Sequence, residues 1–156
     1  MTFLQVSAFS RAQRYVGQII EQLGAGADHP LIQWWLSLCG FGFSAHDEIA
    51  WCSAFVNGIA WDLRLPRSKS AAARSWLTVG EVIPLEKAEV GFDVVILQRG
   101  NGPQPGADVL AAPGHVGFFA GMSEDGRVMV LGGNQSNGVT VAPFERERVL
   151  GVRRLR

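Results

Sequence analysis

Cysteine is scarce in this chain, with only Cys39 and Cys52 among 156 residues. Two thiols cannot build the disulfide framework of a small secreted domain, and neither has neighbours at zinc-ligand spacing. A Cys39–Cys52 bridge is conceivable, but it would consume both. Charge of one sign is lacking as well. Fourteen basic residues face fourteen acidic ones, so no net field draws the chain to nucleic acid or to an anionic membrane. No apolar run approaches a transmembrane span, which argues against membrane insertion. The segment Met1 to Arg11 lacks the basic and apolar stretches of a secretory signal. The chain is therefore expected to be made in the cytoplasm, and to reach any outside target only after release or export by other machinery. Asp47, Glu48, Asp62 and Asp93 are scattered, and no Asp-x-Asp-x-Asp-Gly loop is present. The glycine-rich stretches lack the strand–glycine–helix context of a nucleotide site. Neither a metal nor another cofactor is expected.

What the chain does have is apolar residues, 47% against 18% charged, enough for a single globular domain over residues 1–156 with a real core. Helical spacing runs from about Ser7 to Leu23 and ends at Gly24-Ala25-Gly26. A second helix starts at Pro30 and runs to Gly40, carrying Trp34 and Trp35, of which one is expected buried and one half-exposed. A third ends near Asp62, and a short fourth covers Ser70 to Leu77. Ser44 and Asp47 both offer caps for the third helix. Asp47 is preferred, starting the helix near Glu48 with Cys52 about one turn in.

From Gly91 the period becomes that of strands: 93–97, 115–120, 127–131, 139–142 and 149–155. Arg99 to Gly114 is a long loop rich in glycine and proline, the kind that is more often functional than idle. Helices first and antiparallel strands afterwards predict an α+β fold.

Within Trp51-Cys52-Ser53-Ala54-Phe55-Val56, the thiol sits at the opening of an apolar helix. A helix N-terminus lowers a thiol's pKa and makes it a nucleophile, whereas a lone cysteine is otherwise a small buried hydrophobe. Downstream, Gly114-His115-Val116-Gly117-Phe118 opens a strand with a histidine, and a further strand runs through Gly132-Gly133 into the polar Asn134-Gln135-Ser136-Asn137. Nucleophile on a helix, base on a strand and an orienting polar residue on the next strand is the chain order of many cysteine hydrolases. His29 and His46 are rival bases, the first read as a solvated turn residue and the second as an exposed one. Alternation from Val130 puts Asn134 on Val130's face if the strand keeps its register through the two glycines, while Gln135 and Asn137 compete for the role. Cys39 is assigned to the core.

Trp51-Cys52-Ser53-Ala54-Phe55-Val56, Gly114-His115-Val116-Gly117-Phe118 and Leu131-Gly132-Gly133-Asn134-Gln135-Ser136 resemble the three motifs of the NlpC/P60 and CHAP cysteine hydrolases. The likeness is to their small single-domain branch from phages and prophages, and Ala73-Arg74-Ser75-Trp76-Leu77 and Val149-Leu150-Gly151-Val152-Arg153 share it. Phe92, set between Gly91 and Asp93, departs from the Gly-Asp pair that the family often places before its first strand.

The resemblance implies a papain-like fold, with N-terminal helices on an antiparallel sheet, and cleavage of an amide in the peptide part of bacterial peptidoglycan. Carried over by position, it makes Cys52 the nucleophile, His115 the general base and then acid, and Asn134 the residue that orients the imidazole. Trp51 and Gln135 are the substrate-binding candidates. The Cys52 N–H is one oxyanion donor, and a second is unassigned. Peptidoglycan is the implied partner, joined by an immunity protein if the enzyme is deployed as an antibacterial effector. The other readings are an inactive module that binds wall peptides through Trp34, Trp51 and the 99–114 loop, and an amide hydrolase with a non-wall substrate.

Overall fold

A computed structural model describes residues 5–18, 28–42 and 49–156. Among them the architecture is α+β, as the order of periodicities predicts: α1 (Ala8–Gln13), α2 (Pro30–Ser37) and α3 (Cys52–Asp62) come first. Then follow β1 (Glu81–Ile83), β2 (Asp93–Gln98), β3 (Gly114–Met122), β4 (Val128–Gln135), β5 (Gly138–Phe144) and β6 (Val149–Arg154). The strands form one sheet in the order β1-β6-β2-β3-β4-β5, with every neighbouring pair antiparallel.

The helix α3 is buried at every position from Cys52 to Ala60. A helix so largely apolar has to lie inside the molecule, and this one packs on β3 and β4 on one side and on α1 and α2 on the other. Its partners on the sheet are alternate residues, Val94, Ile96, Val116, Phe118 and Leu131. The intervening Val95, Leu97, Phe119 and Val130 form a second apolar cluster on the opposite face with Ile83 and Val152. Both faces of β2 are thus covered, which is why Val94-Val95-Ile96-Leu97 reads as an unbroken apolar run.

Several boundaries differ from the sequence expectation. α1 stops at Gln13 and gives way to turns, with Gly17 at φ +81°; residues 19–27, including Gly24-Ala25-Gly26, lie outside the described residues. α2 begins at Pro30 as expected, capped by His29, whose Nδ1 accepts the Leu31 N–H at 3.1 Å. Trp35 is buried and Trp34 half-exposed, edge-on to Trp61. The short helix expected over Ser70–Leu77 is a 3₁₀ helix, Ala73–Thr78. β1 is new. It has three residues without alternation, and its pairing with β6 holds it in place. No helix of the described residues is long and apolar enough to cross a membrane.

The difference with most bearing on chemistry is at α3. It starts at Cys52 itself, with Trp51 in the cap position, and not near Glu48. The cap candidates Ser44 and Asp47, and the rival base His46, lie outside the described residues. Cys52 therefore stands in the first turn, where N–H groups lack helical acceptors and the dipole acts most strongly.

Candidate active site

Three elements converge on Cys52. α3 brings the thiol, β3 brings His115 and the end of β4 brings Gln135. The Cys52 sulfur hydrogen-bonds to the His115 ring and receives the backbone N–H of Val116. The β3–β4 ladder begins only at Phe118, opposite Leu131. Ahead of that point the first turn of α3 sits against the start of β3.

The orientation of the imidazole follows from its other nitrogen. Nε2 lies 2.8 Å from Gln135 Oε1. The amide end of Gln135 donates to the Thr140 carbonyl at 2.8 Å, to Thr140 Oγ1 at 3.1 Å and to the Val130 carbonyl at 3.3 Å. A carbonyl can only accept, so Gln135 must turn its NH₂ to the backbone and its oxygen to the ring. His115 Nε2 then carries the proton, and Nδ1 is the nitrogen left to face Cys52. Phe144 stacks on the other side of the ring at 5.3 Å.

Asn134, expected in this place, does not hold it. It takes a left-handed conformation, φ +58°, inside a bulge. On β5, Gly132 pairs with Thr140 and Gln135 with Gly138, so β4 uses three steps where β5 uses two. The extra residue inverts the alternation and moves the partner of Val130's face from Asn134 to Gln135. Gln135 is consequently buried, with its side-chain oxygen on His115.

Trp51, the other substrate-binding candidate, lies inside the packing. It is fully buried, stacked on Trp35, and has no surface to offer a ligand. The two glycines before Asn134 are the sign of this packing in the sequence. A Cβ on Gly132 would lie 2.6 Å from Gln135 Oε1 and 3.2 Å from His115 Nε2, and one on Gly133 would lie 2.6 Å from the Trp51 ring. β4 has to pass between the histidine on one side and the tryptophan on the other, and only glycine leaves room.

The electrostatics separate the two cysteines. Burial pushes both thiols up. At Cys39 burial prevails over Arg67 and raises the pKa to about 11, leaving an inert half-buried thiol. At Cys52 the hydrogen bond and charge of His115 and the Val116 N–H outweigh burial, and the pKa falls below its ordinary 9.0. His115 moves the opposite way. Burial lowers it, but the Cys52 thiolate and Gln135 together raise it above 6.5. Opposed shifts of this kind favour transfer of the thiol proton to the imidazole.

Cys52 opens on a cavity of ≈ 330 Å³ walled also by Ala50, Arg99 and residues 71–73 and 111–114. Both walls are fixed from behind. Ser53 Oγ donates to the Ser70 carbonyl at 2.6 Å and accepts Trp76 Nε1–H at 2.9 Å, while Asn57 Oδ1 accepts the Lys69 N–H at 2.9 Å. On the opposite wall the buried guanidinium of Arg74 donates to the carbonyls of Pro105, Gly106, Val109 and Pro113 at 2.6–3.0 Å, pinning the long loop. A larger concavity of ≈ 570 Å³ beside Trp61, Asp62 and Arg64 contains no nucleophile, so size does not locate the chemistry. Among the described residues no three His, Cys, Asp or Glu side chains gather as a metal site.

Compared with protein-family models, with curated proteins and with solved structures, the chain matches none.

Proposed function

We propose that the protein is a cysteine-dependent hydrolase of amide bonds in the peptide part of bacterial peptidoglycan, of the papain-like NlpC/P60 type. The observation that carries the chemistry is the oppositely shifted Cys52–His115 pair, with Cys52 opening on a preformed cavity. The wall substrate rests on the resemblance of the three motifs. It follows that the site acts as endopeptidase or amidase, without a cofactor.

Cys52 thiolate attacks the amide carbonyl. The oxyanion forms beside the first turn of α3, where the Cys52 N–H is free of helical duty. His115 imidazolium gives its Nδ1 proton to the leaving amine as the C–N bond breaks. Neutral His115 then takes a proton from water, the hydroxide adds to the thioester, and the acid leaves as Cys52 is restored. Gln135 does not touch the substrate in this scheme. It is a positioning residue that holds Nε2–H throughout.

Incubation of purified peptidoglycan with the protein should release muropeptides whose masses show the addition of one water per cut, with the new carboxyl on one side of the cleaved amide and the new amine on the other. Cys52→Ala should release none. An intact sacculus beside selective Cys52 labelling by a thiol probe would leave the hydrolase chemistry and remove the wall as substrate.

A further inference from the structure

The cavity wall beside Cys52 is chemically lopsided. Its small side chains, Ala50, Ala71, Ala72, Ala73, Ala111 and Ala112, offer no hydrogen bonds, and among the described residues no Asp or Glu lines it. Beside the Cys52 thiol, the one charged side chain among its described lining residues is Arg99, an exposed residue that makes no hydrogen bond or ion pair among the described residues. The other arginines near the sheet are spent: Arg74 on four carbonyls, Arg154 on Asp93 and Glu89. The backbone that carries Arg99 is also braced on both sides. Arg148 Nη2 donates to the Gln98 carbonyl at 3.3 Å and to the Gly100 carbonyl at 2.7 Å. A guanidinium on a braced stretch of backbone, with no hydrogen-bond partner among the described residues and its charge felt at Cys52, is suited to a substrate carboxylate at the cleft.

We propose that Arg99 makes this cleft a carboxylate-selecting subsite: the substrate is a peptide segment with small side chains and a free carboxylate beside the scissile amide. The assignment rests on the cysteine-hydrolase reading of Cys52 and His115, and it adds the selection rule. The alanine walls leave space for small substituents and supply no polar partner. The carboxylate therefore supplies the orientation, and conversion to its carboxamide removes the charge while keeping the shape.

The first test needs no knowledge of the substrate. Cys52 thiolate displaces iodide from iodoacetate or from its neutral isostere iodoacetamide, and the two rates are read at Cys52 by mass spectrometry. The ratio of iodoacetate to iodoacetamide rates should fall about tenfold from wild type to Arg99→Gln, the worth of one charge-assisted hydrogen bond in a partly exposed cleft. Arg99→Lys, which keeps the charge, should retain part of the ratio. An unchanged ratio in Arg99→Gln overturns the proposal. The second test compares wild-type digestion of native peptidoglycan with peptidoglycan whose carboxyls have been amidated by carbodiimide and ammonia. Release should slow at least about tenfold on the amidated wall, and equal rates on both overturn the subsite while leaving the wall-hydrolase reading in place. Failure to digest either wall, with the alkylation ratio shifted as expected, removes peptidoglycan and keeps the carboxylate subsite.

Discussion

Gln135 Oε1 accepts the Nε2–H of His115 at 2.8 Å, and that bond decides which nitrogen meets Cys52. The glutamine is itself held by the Thr140 and Val130 carbonyls, so the imidazole is oriented by backbone through one side chain. The arrangement does not depend on a carboxylate. Imidazolium is favoured by the thiolate in front of it and by the amide oxygen behind it.

Gln135→Ala should lower kcat roughly 10²-fold with little change in KM, since the residue acts through His115 and not on substrate. Gln135→Glu should keep more activity than the alanine variant and raise the pKa of His115, extending the basic limb of the pH–rate profile. Asn134→Ala should leave that profile in place and cost about 1 kcal/mol of stability, because its left-handed φ is hard for an L-residue. Asn134→Gly should cost less. A crippled Asn134→Ala beside a normal Gln135→Ala would overturn the assignment.

Alkylation against pH should separate the two thiols. Cys52, lowered from 9.0 by His115 and Val116 against the pull of burial, should react with iodoacetamide at a lower pH than an ordinary thiol and well below the pH that Cys39 needs. Cys39 should stay unlabelled until the pH nears its pKa of about 11. In His115→Ala the burial remains without its main opponent, so Cys52 should titrate above 9.0. The pair also bears on stability. The depressed thiol contributes above its unfolded pKa and loses that contribution as pH falls through the folded value. The raised imidazole contributes below 6.5 and loses its share as pH rises through its own folded value. Cys52→Ala should therefore change the pH dependence of unfolding on both sides of neutrality.

Cys52 and His115 were legible in the sequence because each stands at the opening of an element whose type local pattern gives, an apolar helix and an apolar strand. The choice between Asn134 and Gln135 was not, because it depends on a bulge. The count of residues across β4 and β5 is a property of their pairing, and Gly132-Gly133 warned only that the register could break. β1 was missed for a related reason: Glu81-Val82-Ile83 has no period of its own and is a strand because β6 lies beside it. Trp51 looked available because tryptophan often lines sites. Nothing local says that Trp35 and Gly133 enclose it.

Arg74 is expected to be the main support of the long loop. Its guanidinium is buried, has no carboxylate partner among the described residues and is satisfied by four backbone carbonyls between Pro105 and Pro113. Arg74→Met should cost about 3 kcal/mol, since charge-assisted bonds are lost and the carbonyls keep no partner. It should also raise KM as the 111–113 wall loosens. Arg74→Lys should rescue little, because one ammonium cannot span acceptors reached by Nε and both Nη atoms. Urea unfolding and proteolysis within residues 105–113 measure the two effects.

Trp51 offers a test in which packing and substrate contact predict different results. Its ring is fully buried, lies 5.9 Å from Trp35 in a stacked arrangement and fills the space left by Gly133. Its Nε1–H is buried without a hydrogen-bond acceptor among the described residues. An unpaired buried donor costs on the order of 1–3 kcal/mol, so part of what the indole gains by packing is offset by its own nitrogen. Phenylalanine removes that donor together with some volume, and the two effects oppose each other. Trp51→Phe should therefore stay within about 1 kcal/mol of wild type, far from the 3–5 kcal/mol of a large core truncation that Trp51→Ala should show. If the tryptophan only packs, KM should be unchanged in Trp51→Phe, and any loss should fall on kcat through a small shift of the first turn of α3 and its thiol. A KM raised severalfold at unchanged stability would mean that the indole reaches the substrate, and that the closed packing around Trp51 opens when the site is filled.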